Sequence, residues 1–145
     1  MTHQETMLPV TFHALVVEQP GAPVRLQQKT IASLKKDEVL IRVNYASINN
    51  MDPQLARANH FHLPLPYVLG FDFSGEVVRP GGGGFQVGDQ VFGGSIAGGG
   101  FAEYVRHRLR DRLRVPGDHR QGRGAKMQMG GPGRYSFDPP DCTGP

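Results

Sequence analysis
From Phe12 to Val105 the chain is cut into short apolar runs by glycine, proline, asparagine and aspartate at intervals of roughly ten residues, the spacing of a chain that doubles back in short strands. Phe12 to Val17 is apolar and β-branched and stops at Gln19-Pro20-Gly21. Val24 to Lys29 alternates, with Val24 and Leu26 on one side and Arg25 and Gln27 on the other. Val39, Ile41, Val43 and Tyr45 alternate with Leu40, Arg42, Asn44 and Ala46, a clear period-2 strand. Tyr67 to Val78 and Phe101 to Val105 have strand character, and Gly88-Asp89 between apolar residues marks a tight turn. One helix interrupts the pattern: Asp52 can cap it, Pro53 suits its first position, and it runs to about Ala58. These elements predict a mainly β, largely antiparallel domain, partly closed like a barrel, with one short helix. Strands do not alternate with helices, so no doubly wound, Rossmann-type sheet is expected.

Beyond about Val115 this order ends. Residues 116–145 hold 7 Gly and 5 Pro with apolar residues scattered and without period, which predicts an irregular or disordered tail. The expected division is a β-domain over residues 1–115 and a tail over 116–145. The net charge of +3 belongs to the C-terminal part: residues 1–106 carry 8 Lys+Arg against 9 Asp+Glu, and 107–145 carry 8 against 4. Arg106, Arg108, Arg110, Arg112 and Arg114 alternate, so a strand there would place them on one side. No aromatic residues interleave with them for stacking on bases, so nucleic acid is not the expected partner.

A single cysteine, Cys142, excludes an internal disulfide and a multi-cysteine zinc site. The first residues show no basic and apolar leader pattern, and no apolar run approaches the ~20 residues that span a bilayer, so a soluble cytoplasmic protein is expected. His60 and His62 lie in a loop without a nearby third ligand, a poor metal pair. Four glycine clusters invite a phosphate-loop reading: Gly81–Gly84, Gly93-Gly94, Gly98–Gly100 and Gly130–Gly133. A phosphate loop follows a strand and opens a helix, and none of these does.

Several segments share one order and spacing: Val39–Ser47, the polar turn Asn49–Asp52, Gly70–Val77 in the form G-x-D-x-x-G-x-V, the hairpin Val87–Val91 in the form V-G-D-x-V, and Gly99–Val105. In this order they resemble the GroES-like N-terminal domain of the medium-chain dehydrogenase/reductase superfamily, in its zinc-independent quinone oxidoreductase and enoyl reductase branch. The match covers roughly residues 12–115. Beyond Val105 it fades, returns faintly at Leu113-Arg114-Val115-Pro116, and stops; the remainder resembles translation of a shifted reading frame.

The resemblance implies NADPH-dependent hydride transfer to a conjugated carbonyl or a quinone, a small-molecule partner, and room for a homo-oligomer. Zinc members place a Cys and a His where this chain has Asn49 and Phe71, and neither of these suits zinc. In zinc-free members an N-x-x-D turn lies beside nicotinamide and substrate, which makes Asn49 and Asp52 the candidate positioning residues; as plain residues they equally suit turn and helix caps. Gln54 stands where several quinone reductases have Tyr. Asp72, between Phe71 and Phe73, reads as a structural acid facing a polar neighbour. Because the chain shows no strand–glycine turn–helix, the expectation is a truncated reductase that is inactive by itself and does not hold NADPH alone. The other reading is a non-enzymatic GroES-like binding module or subunit with a basic tail.

Overall fold
The computed structural model describes residues 8–81, 84–109, 113–114, 127–129 and 135–137. In chain order the elements are β1 (Thr11–Val17), β2 (Arg25–Thr30), β3 (Glu38–Ser47), α1 (Met51–Arg57), β4 (Tyr67–Val68), β5 (Asp72–Arg79), β6 (Gln90–Gly94), β7 (Tyr104–Arg108), β8 (Leu113–Arg114), β9 (Met127–Met129) and β10 (Tyr135–Phe137). The fold is mainly β with one short helix, as the turn spacing predicts.

Two antiparallel sheets carry the domain, one in the order β2-β1-β4 and the other in the order β7-β3-β5-β6-β8. They do not merge into a closed barrel. The segment around Phe101 joins them instead. Leu15 N–H donates to the Phe101 carbonyl at 2.9 Å, Phe101 N–H donates to Leu69 at 2.9 Å, and Val43 N–H donates to Glu103 at 2.9 Å. The expected strand Phe101–Val105 therefore starts only at Tyr104, because the residues before it bond across the seam.

The core follows the alternation except at Leu40, which is buried alongside Val39 and Ile41. Val39, Ile41, Phe73, Val77, Val91, Val105 and Leu113 form one buried cluster between the strands of the larger sheet and its covering loops. Tyr45, which continues the Val39–Ile41–Val43 series, is exposed. The β3–β5 register shifts between Val43 and Tyr45, so the pleat is out of phase beyond that bulge. A second cluster of Val17, Leu55, Tyr67 and Leu69 packs α1 against the smaller sheet. The Tyr67 hydroxyl donates to the Leu55 carbonyl there, and burial pushes its pKa up.

The single strand expected over Tyr67–Val78 is two strands. Gly70 at φ +96° breaks it, and a Cβ there would lie 2.3 Å from the Phe101 backbone nitrogen. Gly75 serves close approach alone: a Cβ would lie 2.1 Å from the Arg42 carbonyl oxygen on the neighbouring strand. The Val87–Val91 segment makes the expected turn, with Gln86 N–H bound to Asp89 Oδ2 at 2.8 Å.

Of the alternating arginines, Arg106 and Arg108 face outward while His107 between them is buried. Arg110 and Arg112 lie outside the described residues, as does Cys142. Within the expected tail, β9 pairs antiparallel with β10 from Tyr135↔Met129 to Phe137↔Met127. The rest of residues 116–145 lies outside the described residues. Among the described residues, no helix is long and apolar enough to cross a membrane.

Candidate functional site
The larger sheet ends where β3 stops, β5 starts and β6 stops. Ser47 pairs with Asp72, and Asp72 pairs with Gly94, so Asp72 occupies the middle of that edge. The β3–α1 turn follows directly and brings Asn49 over it. Asn49 Nδ2 donates to Asp72 Oδ2 at 2.8 Å, and the Ser47 hydroxyl donates to the same oxygen at 3.3 Å. Asp72 thus faces polar neighbours, in keeping with a structural acid. A Cβ at position 94 would lie 2.8 Å from Asp72 Oδ1, so glycine at that position gives the carboxylate its space.

Asp52 reaches Asn49 from the other side. Its Oδ2 accepts the Asn49 backbone N–H at 2.7 Å, and the Asp52 N–H donates to the Asn49 carbonyl at 3.0 Å. The side-chain half resembles the return bond of a capping box, while the other half is a backbone turn bond, since Asn49 gives its carbonyl and not its side chain. Asp52 is therefore not the cap itself, as the sequence suggests. It lies in the first turn, α1 begins at Met51, and Asn50 precedes it without a side-chain cap bond. Asp52 is only 2% exposed, and its Oδ1 has no hydrogen-bond partner among the described residues. Asn49 is thus gripped at its backbone by one aspartate and at its side chain by another.

Two exposed isoleucines lie close in chain or sheet position to this polar group. Ile48, next to Asn49, is 81% exposed, and Ile96, just past β6 at the same end of the sheet, is 53% exposed. Exposed isoleucines flanking a fixed amide can contact a flat, partly apolar ligand or a covering domain. A separate cleft of about 440 Å³ between the sheets includes Phe12, Tyr67, Tyr104 and His107 but none of Asn49, Asp52 and Asp72. It holds no comparable amide–carboxylate grouping.

Among the described residues, no group of three or more His, Cys, Asp or Glu side chains is arranged to hold a metal ion. His60 and His62 lie exposed in the loop after α1. Gly93 and Gly94 belong to β6, and Gly98–Gly100 lie in the seam between sheets; neither group opens a helix. Gly130–Gly133 lies outside the described residues. The sequence pattern assigns no site role to Ser47, Gly94 or His107. His107 is 2% exposed and meets the Phe73 ring edge-on with centroids 5.3 Å apart.

Residues 35–117 match the alcohol dehydrogenase GroES-like domain, and the chain belongs to that family. Among similar proteins, a quinone oxidoreductase of Sus scrofa is 36% identical over 98 residues, covering 63% of this chain and 30% of the relative. A trans-enoyl reductase of Aspergillus flavipes is 32% identical over 117 residues, covering 72% of this chain and 31% of the relative. The solved quinone oxidoreductase of Coxiella burnetii superposes with a TM-score of 0.65 at 28% identity, over 74% of this chain and 38% of that one. The chain thus spans about a third of the length of the curated relatives it matches.

Proposed function
We propose that residues 12–115 form the substrate-side domain of a zinc-independent, NADPH-dependent reductase acting on a conjugated carbonyl or a quinone. Asn49 and Asp52 position the nicotinamide and the substrate. The observation that carries this reading is the double grip on Asn49, whose backbone is 2.7 Å from Asp52 and whose side chain is 2.8 Å from Asp72. An amide fixed at both ends is preorganised to orient a planar ligand, and orientation is the larger part of what a protein adds to hydride transfer. When bound, the cofactor supplies the hydride. The exposed apolar residues Ile48 and Ile96 would line the ring and limit water.

The donor set fits one end of the cofactor. A carboxamide can meet the fixed Asn49 side chain, but no described strand is followed by a glycine turn opening a helix, the arrangement that would receive a pyrophosphate. NADPH binding is accordingly assigned to polypeptide other than the described elements, and the 145-residue chain assayed alone is expected to leave NADPH unconsumed. Zinc independence rests on Asn49 and Phe71, neither of which offers a thiolate or imidazole.

A chimera tests this. Residues 8–109 replace the matching segment of the Sus scrofa quinone oxidoreductase, which is 36% identical to this chain. The expected result is quinone-dependent NADPH oxidation that a zinc chelator leaves unchanged. A folded chimera that binds NADPH and reduces no quinone or enone would contradict the reading.

A further inference from the structure
The amide of Asn49 is not free to present either end. Its Nδ2 lies 2.8 Å from Asp72 Oδ2 and 3.5 Å from Ser47 Oγ. An amide nitrogen carries two N–H donors and accepts nothing, so both of its donors have oxygen neighbours here. An ionised carboxylate only accepts, so the nitrogen and not the amide oxygen faces Asp72. The Ser47 hydroxyl donates to that same carboxylate oxygen at 3.3 Å, which leaves its lone pairs for Asn49. Asn49 Oδ1 is then the one polar atom of the amide with no partner among the described residues.

Asp72 itself has little freedom. It is paired on one side with Ser47 and on the other with Gly94, and the missing Cβ at Gly94 makes room for its Oδ1. Three strands therefore determine which end of the Asn49 amide is available.

We infer that Asp72 is a positioning residue that presents Asn49 as a hydrogen-bond acceptor, so that this site takes an N–H donor such as a primary carboxamide and rejects a carbonyl oxygen. The inference rests on the placement of Asn49 beside nicotinamide and substrate, and narrows it. Asn49 serves the carboxamide of the nicotinamide, and the quinone or enone oxygen finds its donor elsewhere. A purely structural Asp72 would stabilise the turn without setting ligand choice.

The test uses the full chain, labelled with ¹⁵N, and follows the side-chain amide signals of Asn49. The probes are nicotinamide and N,N-diethylnicotinamide, which keeps the ring and carbonyl but has no N–H. Asp72→Ala, which removes the acceptor, is expected to speed solvent exchange of the Asn49 amide protons by about tenfold, the worth of one charge-assisted hydrogen bond. Ser47→Ala is expected to keep most of the protection. In the unaltered chain nicotinamide shifts the Asn49 signals and the diethyl compound does not; in Asp72→Ala that preference disappears.

Unchanged exchange in a folded Asp72→Ala overturns the inference and leaves the proposed function standing. Intact protection with equal shifts by both probes overturns the donor preference. Intact protection with no shift by either probe overturns it together with the placement of Asn49 at the nicotinamide. The probe comparison on the unaltered chain decides the donor preference even where the variant does not fold.

Discussion

Oδ2 of Asp52 accepts the backbone N–H of Asn49 at 2.7 Å across the turn that joins β3 to α1. The bond ties the start of the helix to the end of the larger sheet. It is made by a side chain that is 2% exposed, whose other oxygen has no partner among the described residues. Asp52→Ala removes the acceptor and is expected to cost about 1–2 kcal/mol in urea unfolding. Asp52→Asn keeps one oxygen for the Asn49 N–H and should cost less than half as much. An Asn variant as unstable as the Ala variant would show that charge, and not this bond, holds the turn.

Glu103 gives the domain a pH dependence with a definite sign. The His13 backbone N–H donates to Glu103 Oε2 at 2.7 Å, and the His13 ring nitrogen lies 3.3 Å from the same oxygen. The backbone bond from His13 above all, opposed in part by desolvation and helped by the side-chain and charge contact with His13, holds this carboxyl below its ordinary value of 4.5. A depressed folded-state pKa means that the stabilisation is complete above the unfolded value and is lost as pH falls through the folded one. Because His13 is on β1 and Glu103 is in the seam beside β7, acid should loosen the junction of the sheets. Glu103→Gln is expected to lower thermal stability modestly at neutral pH and, for the same reason, to flatten its fall below pH 4.5. An acid limb identical to that of the unaltered chain would contradict this.

Two glycines separate close packing from backbone conformation. At Gly75 a Cβ would lie 2.1 Å from the Arg42 carbonyl oxygen, with Ile41 also close. Gly75→Ala must push two paired strands apart and is expected to cost about 3 kcal/mol or more. At Gly84 nothing stands within 4 Å of a Cβ, and only φ +79° opposes a side chain. Gly84→Ala should cost about 1–2 kcal/mol. Equal denaturation midpoints for the two variants would refute the close approach of β3 and β5.

Most of the β-architecture was legible because each strand obeys a local rule. Alternation in Val39–Ile41–Val43 gives β3, and Val87–Val91 gives the β5–β6 turn. What the sequence could not show depends on register. The bulge at Val43/Tyr45 decides that Tyr45 is exposed, and it follows from pairing with a strand some thirty residues away. The break at Gly70 arises because the Phe101 backbone crosses close by, a contact no local pattern announces. The candidate site was half legible. The N-x-x-D turn points to Asn49 and Asp52, and the close hydrogen bond between them is local. Ser47 and Gly94 become neighbours of Asp72 only through the sheet, so their part was hidden until the ladder was known.

The central claim is that Asn49 orients the reacting partners. The most direct measurement is kcat/KM for quinone-dependent NADPH oxidation by the chimera carrying residues 8–109, with Asn49 and with Asn49→Ala. A loss of about tenfold or more with NADPH binding retained, equivalent to about 1.4 kcal/mol of transition-state stabilisation, is the predicted result. A folded Asn49→Ala chimera within twofold of its parent would contradict the account.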